Sequence, residues 1–273
     1  MATVSEQRRA LTDKLVDALV ELFTGLKSWR DKDIQRFVRQ AVPLVRGSQL
    51  SMAELVGMAM AAKASQATGR TVAPVAIPAA AVQDLRGVPP AEVYARPFVE
   101  LRRVLAEGRS LTEAVKIATN RVREIAEADM QQTYAHASRE AMNRLPASSR
   151  PRYWRRVLQG PENCALCIVA ASNRYRTEDL NPIHPGCDCE VDPVFGRDVH
   201  QAADDARLRQ VHQAVAELTG RGDAGGRSVD YTKLIVREHG ELGPMLVRPM
   251  DGFTGPQDIP ARTRSRRKGA RGR

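Results

Sequence analysis

Five residues that can bind a metal ion lie within one short stretch of the chain. All four cysteines and one histidine fall inside 26 residues, as Cys164-x2-Cys167, then sixteen residues, then His184-x2-Cys187-x-Cys189. Two thiolates separated by two residues can reach one tetrahedral zinc ion at about 2.3 Å, and a second group returning from a loop completes the site. The spacing therefore predicts a metal centre formed from these residues.

Five candidate ligands compete for four places, so His184 is either a ligand or a hydrogen-bond donor behind the ligands. Cys187 and Cys189 would point to opposite faces of an extended strand unless the chain bends, as Pro185 and Gly186 allow. No open coordination position is evident, which favours a structural zinc ion that contributes folding free energy. The alternatives are two disulfides, four reduced thiols, or a catalytic zinc ion with water as a fourth ligand.

The sequence offers no local signature of a hydrolase. It contains neither His-Glu-x-x-His nor Gly-x-Ser-x-Gly. His136 and Ser138 are two residues apart in helical sequence, where their side chains point away from each other. We therefore predict no catalytic residues, although a triad assembled from distant parts of the chain stays open.

The positive charge of the protein is concentrated at one end. The net charge is +10, but the last thirteen residues carry seven basic residues and no acidic one, leaving 35 basic against 32 acidic residues elsewhere. Such a tail can bind phosphates without reading base sequence, or it can serve only as a solubilising disordered end. The basic residues are Arg262, Arg264, Arg266, Arg267, Lys268, Arg271 and Arg273.

The elements that position these groups begin with helices. Aromatic residues make up only 4% of the chain, which is typical of a helical core built on Ala, Leu and Val. Residues 1–68 predict a small bundle: one helix with an apolar stripe from Leu11 to Leu26, a second over Asp31 to Val45, and a third capped by Ser51.

A change in amino-acid composition separates this bundle from the next helices. Residues 69–90 are rich in Ala, Val and Pro and predict a linker, and residues 91–150 predict long helices. Ser110 and Glu113 form a capping box that opens a helix ending near Leu145. The apolar stripe of this helix weakens in its second half, which predicts that this half either faces solvent or packs on a partner through small residues.

Residues 151–195 predict a zinc-knuckle β module, with Tyr153 and Trp154 as its apolar floor. A helix within 196–220, a Gly-rich joint and short motif in 221–260, and a basic disordered tail in 261–273 complete the chain. The expected fold is mainly α, with a helical first half, a small zinc-stabilised β/α module and a flexible basic tail.

Two segments resemble a known family. The run from Cys164 to Ala171, then Tyr175, then Glu178 to Val191, resembles the zinc-knuckle region of phage minor head proteins of the Mu F type, especially those of actinobacterial phages. The stretch Val236 to Leu246, followed by Phe253 to Pro256, is similar to the carboxy-terminal segment of the same proteins.

The resemblance implies a virion protein that acts in head assembly, bound to the portal or major capsid protein inside the head, with contact to packaged DNA through the basic tail. Relatives are also described as capsid maturation proteases, which leaves cleavage of scaffold or major capsid protein as an alternative function. A zinc-ribbon nucleic-acid-binding protein is a second alternative.

No membrane or export function is expected. The amino terminus is charged before any apolar run, which predicts synthesis in the host cytoplasm. The most apolar stretch, Met52 to Ala64, is interrupted by Glu54 and Lys63 and is shorter than the roughly 20 residues that span a bilayer.

Overall fold

The computed structural model describes residues 2–159, 163–172, 174–177, 180, 189–195, 205–219, 235–239 and 243–247. The helices are α1 (Val4–Thr24), α2 (Asp31–Thr68), α3 (Pro90–Ala106), α4 (Leu111–Arg144), α5 (Ala165–Ala171) and α6 (Asp205–Thr219). The strands are β1 (Tyr153–Val157), β2 (Asn163–Cys164), β3 (Arg174–Arg176), β4 (Glu190–Val194), β5 (Ile235–His239) and β6 (Gly243–Val247). The described chain is mainly helical with small sheets, which confirms the mainly α part of the expected fold; the zinc ion and the flexible tail stay predictions.

Helices α1 to α4 pack around one apolar core. Phe23 of α1, Phe37 of α2 and Phe98 of α3 meet edge to face, with ring centroids 5.1 to 5.6 Å apart. Edge-to-face aromatic pairs add to the stabilisation from buried apolar area. The scarce aromatic residues are therefore concentrated where three helices meet.

Helix α2 corrects the prediction of two separate helices in this region. It runs without a break through Pro43 and past Ser51. Buried side chains follow one another at steps of three or four residues across the predicted gap, at Phe37, Ala41, Val45, Gln49, Met52, Val56 and Met60. The prediction was wrong because Gln49 reads as polar in the sequence, whereas its burial keeps the stripe continuous.

The segment between α2 and α3 packs on α2. The N–H of Val75 donates to the carbonyl of Gly57 at 3.4 Å, and the N–H of Val72 donates to Ser65 Oγ at 2.9 Å. A Cβ at Gly57 would lie 2.2 Å from the Val75 carbonyl oxygen, so this close approach requires glycine.

Helix α4 begins and ends as the sequence predicts. Ser110 Oγ accepts from the Glu113 N–H at 3.3 Å and Glu113 Oε2 accepts from the Ser110 N–H at 3.2 Å, which confirms the capping box. The second half of α4 is buried within the chain, at Met130, Tyr134 and Met142 and at the small residues Ala135, Ala137 and Ala141, so the expectation of a solvent-facing half is wrong. Helices α1, α2 and α3 all pack against α4.

Two antiparallel three-stranded sheets follow, with the strand orders β3-β1-β4 and β2-β5-β6. Trp154 of β1 is buried in the core of the helical bundle and stacks on Tyr175 at 5.0 Å, so the bundle and the first sheet share one core. A second, smaller core joins α5 to α6 through Ile168, Val211 and Val215. None of the helices within the described residues is long and apolar enough to cross a membrane.

Candidate metal centre

The two candidate ligands whose side chains the structure describes are both buried. Cys167 lies in α5 and is 3% exposed, and Cys189 directly precedes β4 and is 4% exposed. Strand β1 contacts both elements, since it pairs with β4 and packs against α5. The structure therefore brings Cys167 and Cys189 to elements that pack on the same strand.

The remaining ligand candidates are placed less fully. Cys164 is in β2, where its backbone pairs with Ile235 of β5, so the Cys-x2-Cys pair spans the junction of β2 and α5. His184 and Cys187 lie outside the described residues, as do the seven basic residues of the tail. Within the part of the chain that the structure describes, no group of three or more His, Cys, Asp or Glu side chains is placed to hold a metal ion.

The residues present fit zinc in their donor chemistry. Cys167 and Cys189 supply buried sulfur donors on either side, in sequence, of His184 and Cys187. Thiolate and imidazole are the usual ligands of structural zinc sites. Zinc binding by these residues stays a prediction.

Strand β4, which follows Cys189, is fixed to the bundle by α1 and α4. Arg8 Nη1 donates to the Cys189 carbonyl at 3.0 Å, and the Arg8 guanidinium carbon lies 4.5 Å from the centroid of the Tyr134 ring. The phenol oxygen of Tyr134 accepts from the Val191 N–H at 3.0 Å. Two helices distant in sequence thus contact Cys189 and Val191, which lie two residues apart in the cysteine segment, residues 164–194.

Side chains of helix α2 and strand β1 bind Asp192, the residue of β4 that follows Val191. Lys63 Nζ lies 3.0 Å from Asp192 Oδ1, and Arg155 Nε donates to Asp192 Oδ2 at 3.0 Å. Lys63 Nζ also donates to the Val191 carbonyl at 3.5 Å. The Asp192 carboxylate is therefore neutralised from both sides, at the boundary between bundle and sheet.

Burial keeps the phenol of Tyr134 neutral. Loss of solvent raises the pKa of Tyr134, and the neighbouring Arg8 cation opposes this with a smaller effect. A neutral phenol can accept the Val191 N–H without adding a buried charge. The residues Arg8, Lys63 and Tyr134 were missed by the sequence analysis, and only Tyr134 gave a signal, as a large aromatic residue in the weakened stripe of α4.

A second buried polar cluster lies where α3 and α4 meet. Asp129 accepts from Arg86 Nε at 2.5 Å and from the Tyr94 hydroxyl at 2.8 Å. Burial, with the Asp129 charge as a further cause, raises the pKa of Tyr94 and keeps its phenol protonated. The adjoining cavity of about 20 Å³ has room for one water molecule. This cluster serves the packing of α3 on α4.

The serine and histidine of α4 do not form a nucleophile pair. Ser138 is 0% exposed, and His136 Nδ1 lies 3.0 Å from Arg139 Nη2. Burial, and then the Arg139 charge, lowers the pKa of His136. A polypeptide substrate has no access to the Ser138 hydroxyl in this structure.

Comparison with known proteins adds one result. A family model described as VG15 protein matches residues 1–215, which includes α1 to α5, most of α6 and the whole cysteine and histidine cluster. No curated protein matches the chain. No solved structure matches it either.

Proposed function

Because the chain belongs to the VG15 protein family, a family of phage gene products, we propose that it is a minor capsid protein acting in head morphogenesis. It is present inside the phage head, docks on the portal or the major capsid protein, and is made in the host cytoplasm. It has no catalytic activity of its own.

One observation carries the proposal: the end of the cysteine segment, at strand β4, is held against the helical bundle by hydrogen bonds. That segment resembles the zinc-knuckle region of Mu F-type minor head proteins, and Arg8, Lys63 and Tyr134 hold its last strand against three helices. A rigid connection of this kind suits a structural protein that must hold two surfaces in a fixed relation.

In this proposal, zinc has a structural role. The candidate ligands Cys164, Cys167, His184, Cys187 and Cys189 would hold the ion, which would supply folding free energy to the segment that carries them. The hydrogen bond from the Arg8 side chain to the Cys189 carbonyl then links the metal site to α1.

The bundle provides the docking surface and the tail contacts DNA. Helix α2 exposes Leu44, Leu50 and Met58, apolar side chains that a portal or capsid subunit would cover. The basic residues between 262 and 273 neutralise phosphates of packaged DNA without sequence selectivity.

The test is co-expression with the portal, scaffold and major capsid genes of the same phage, followed by mass spectrometry of purified heads. We expect this protein in the heads, with the termini of the capsid protein unchanged by its presence. Recovery of heads that contain portal and capsid protein but lack this chain would overturn the proposal.

The same experiment distinguishes the runner-up functions. A capsid maturation protease would create new termini in scaffold or capsid protein only when this chain is present. A separate zinc-ribbon nucleic-acid-binding protein would stay out of the heads and bind nucleic acid through its cysteine module.

A matched pair of variants tests the role of the attachment. Arg8→Gln with Lys63→Gln removes two contacts to the cysteine segment, whereas Lys14→Gln with Arg39→Gln removes the same charge from exposed sites. We expect the first pair to lower incorporation into heads and the second pair to leave it unchanged.

A further inference from the structure

The outward face of the first sheet carries a basic and aromatic surface. Side chains alternate along a strand, and the burial of Trp154 and Arg156 leaves Tyr153 and Arg155 of β1 on the outer side. The register places Arg176 opposite Tyr153 and Arg174 opposite Arg155. Arg152, directly before β1, is exposed beside them.

Two acidic side chains of β4 lie on this face, since the register places Glu190 opposite Val157 and Asp192 opposite Arg155, and of these two Asp192 is neutralised. Asp192 of β4 lies opposite Arg155 and is paired with both Arg155 and Lys63. Arg152 and Arg174 have no carboxylate partner among the residues that the structure describes. Two exposed guanidinium groups are therefore available to an anionic partner.

Tyr153 lies outside the apolar core. It is 37% exposed, which corrects the expectation that it forms the floor of the zinc module together with Trp154. The Arg174 guanidinium carbon lies 5.4 Å from the centroid of the Tyr153 ring. Stacking restricts the side chain of Arg174 while its N–H groups stay able to donate to an anion.

A groove of about 520 Å³ continues from this face along the carboxyl end of α2. Its lining includes Thr68, Ser148, Arg150, Arg152, Tyr153 and Phe195. Arg150 is held in place because its guanidinium donates to the Leu145 carbonyl at 3.0 and 3.2 Å. The groove thus adds a positioned cation and a serine hydroxyl to the guanidinium groups of the sheet.

We propose that this surface, Arg150, Arg152, Tyr153 and Arg174, binds the sugar-phosphate backbone of nucleic acid. The planar guanidinium group matches phosphate oxygens in two-point hydrogen bonds, and an exposed tyrosine beside arginines offers a stacking surface for sugar or base. The proposed function assigns nucleic-acid contact to the tail alone, whereas this site belongs to the folded part of the chain and does not depend on head assembly.

The test is fluorescence anisotropy with a short labelled DNA duplex, over a range of salt concentrations, using the full-length protein. Arg152→Gln with Arg174→Gln removes two charges from the surface. Arg36→Gln with Arg39→Gln is the matched control, since both residues are exposed near the other end of α2, roughly 40 Å away at 1.5 Å per residue. Both pairs are also made in a full-length chain whose seven basic tail residues are replaced by glutamine.

We expect the Arg152 and Arg174 variant to bind about tenfold more weakly, with the slope of log K against log salt reduced by about 1.8, in both backgrounds. The control pair should bind like its parent, and circular dichroism should be unchanged in every variant. Equal behaviour of the two pairs, or loss of all binding on neutralising the tail, would overturn the proposal. Competition by a polyglutamate peptide as strong as that by DNA would also overturn it, in favour of an acidic protein partner.

Discussion

The phenol oxygen of Tyr134, in the middle of α4, accepts a hydrogen bond from the backbone N–H of Val191, in β4, at 3.0 Å. Both groups are buried, and this contact joins helix α4 to β4, the strand that follows Cys189. Solvent cannot reach the Val191 N–H, so the phenol oxygen supplies the hydrogen-bond acceptor that this backbone group needs. The cysteine segment is therefore bound to the bundle through its backbone as well as its side chains.

Tyr134→Phe is expected to lower the free energy of unfolding by about 1–3 kcal/mol, because it leaves the buried Val191 N–H without its acceptor. Urea denaturation followed by circular dichroism measures the change. Tyr153→Phe is the control, and its exposed hydroxyl predicts a change within about 0.5 kcal/mol. Equal effects of the two substitutions would contradict the role given to Tyr134.

Two glycines of α2 predict opposite effects on substitution by alanine. Gly57→Ala would place a methyl group 2.2 Å from the Val75 carbonyl oxygen, so the segment before α3 must move away and stability falls. Gly47→Ala meets no atom within 4 Å and should raise stability by about 0.5–1 kcal/mol through helix propensity. Thermal unfolding of both variants checks the contrast, which fails if Gly57→Ala is tolerated as well as Gly47→Ala.

Two Asp–Arg pairs should differ widely in their contribution to stability. Asp129→Ala removes the buried carboxylate to which both Arg86 and the Tyr94 hydroxyl donate and should cost about 3–5 kcal/mol. Asp31→Ala, whose side chain is 83% exposed in its pair with Arg102, should cost less than about 1 kcal/mol. Chemical denaturation of the two variants gives the comparison, and similar losses would show that the Asp129 cluster is not structural.

Acid should weaken the amino-terminal caps of α1 and α4. Hydrogen bonds from the backbone and hydroxyl of Thr3 lower the pKa of Glu6, and those from Ser110 lower the pKa of Glu113, below the usual 4.5. A lowered pKa means that the stabilisation is present above the usual value and is lost as pH falls through the folded-state value.

Glu113→Gln keeps a capping side chain that does not titrate in this range. The variant should therefore lose less stability than the parent protein when melting temperatures are followed from neutral pH into acid. An unchanged acid dependence would rule out a contribution from this capping box.

If the cysteine cluster holds zinc, the purified protein should contain one ion per chain by native mass spectrometry. Cys167→Ser and Cys189→Ser should each lower the zinc content, whereas His136→Gln, which changes a histidine outside the cluster, should not. Titration of four thiols after denaturation and chelation would exclude the disulfide alternative. Full zinc content in both cysteine variants would overturn the predicted ligand set.

The sequence predicted helix and strand positions well where a local motif was not overridden by tertiary packing. The Ser110 and Glu113 capping box placed the start of α4, and the apolar and aromatic run after Pro151 placed β1. It failed where packing overrode a local signal, since Ser51 resembles a helix cap but lies within α2, and Gln49 is polar but buried. Tyr153 and Trp154 are adjacent aromatic residues, and both were predicted to be core residues. Only the structure shows that they lie on opposite faces of β1, with Tyr153 exposed and Trp154 buried.

The sequence by itself determined the helical class of the protein, the ends of its clearest elements and the candidate ligands, because periodicity, capping and ligand spacing are encoded within a few neighbouring residues. Tertiary structure alone decided that Arg8, Lys63 and Tyr134 meet the strand after Cys189, and that Arg152 and Arg174 share an exposed surface with Tyr153. These contacts join residues far apart in the chain. They depend on how helices and strands pack against each other, which no local pattern contains.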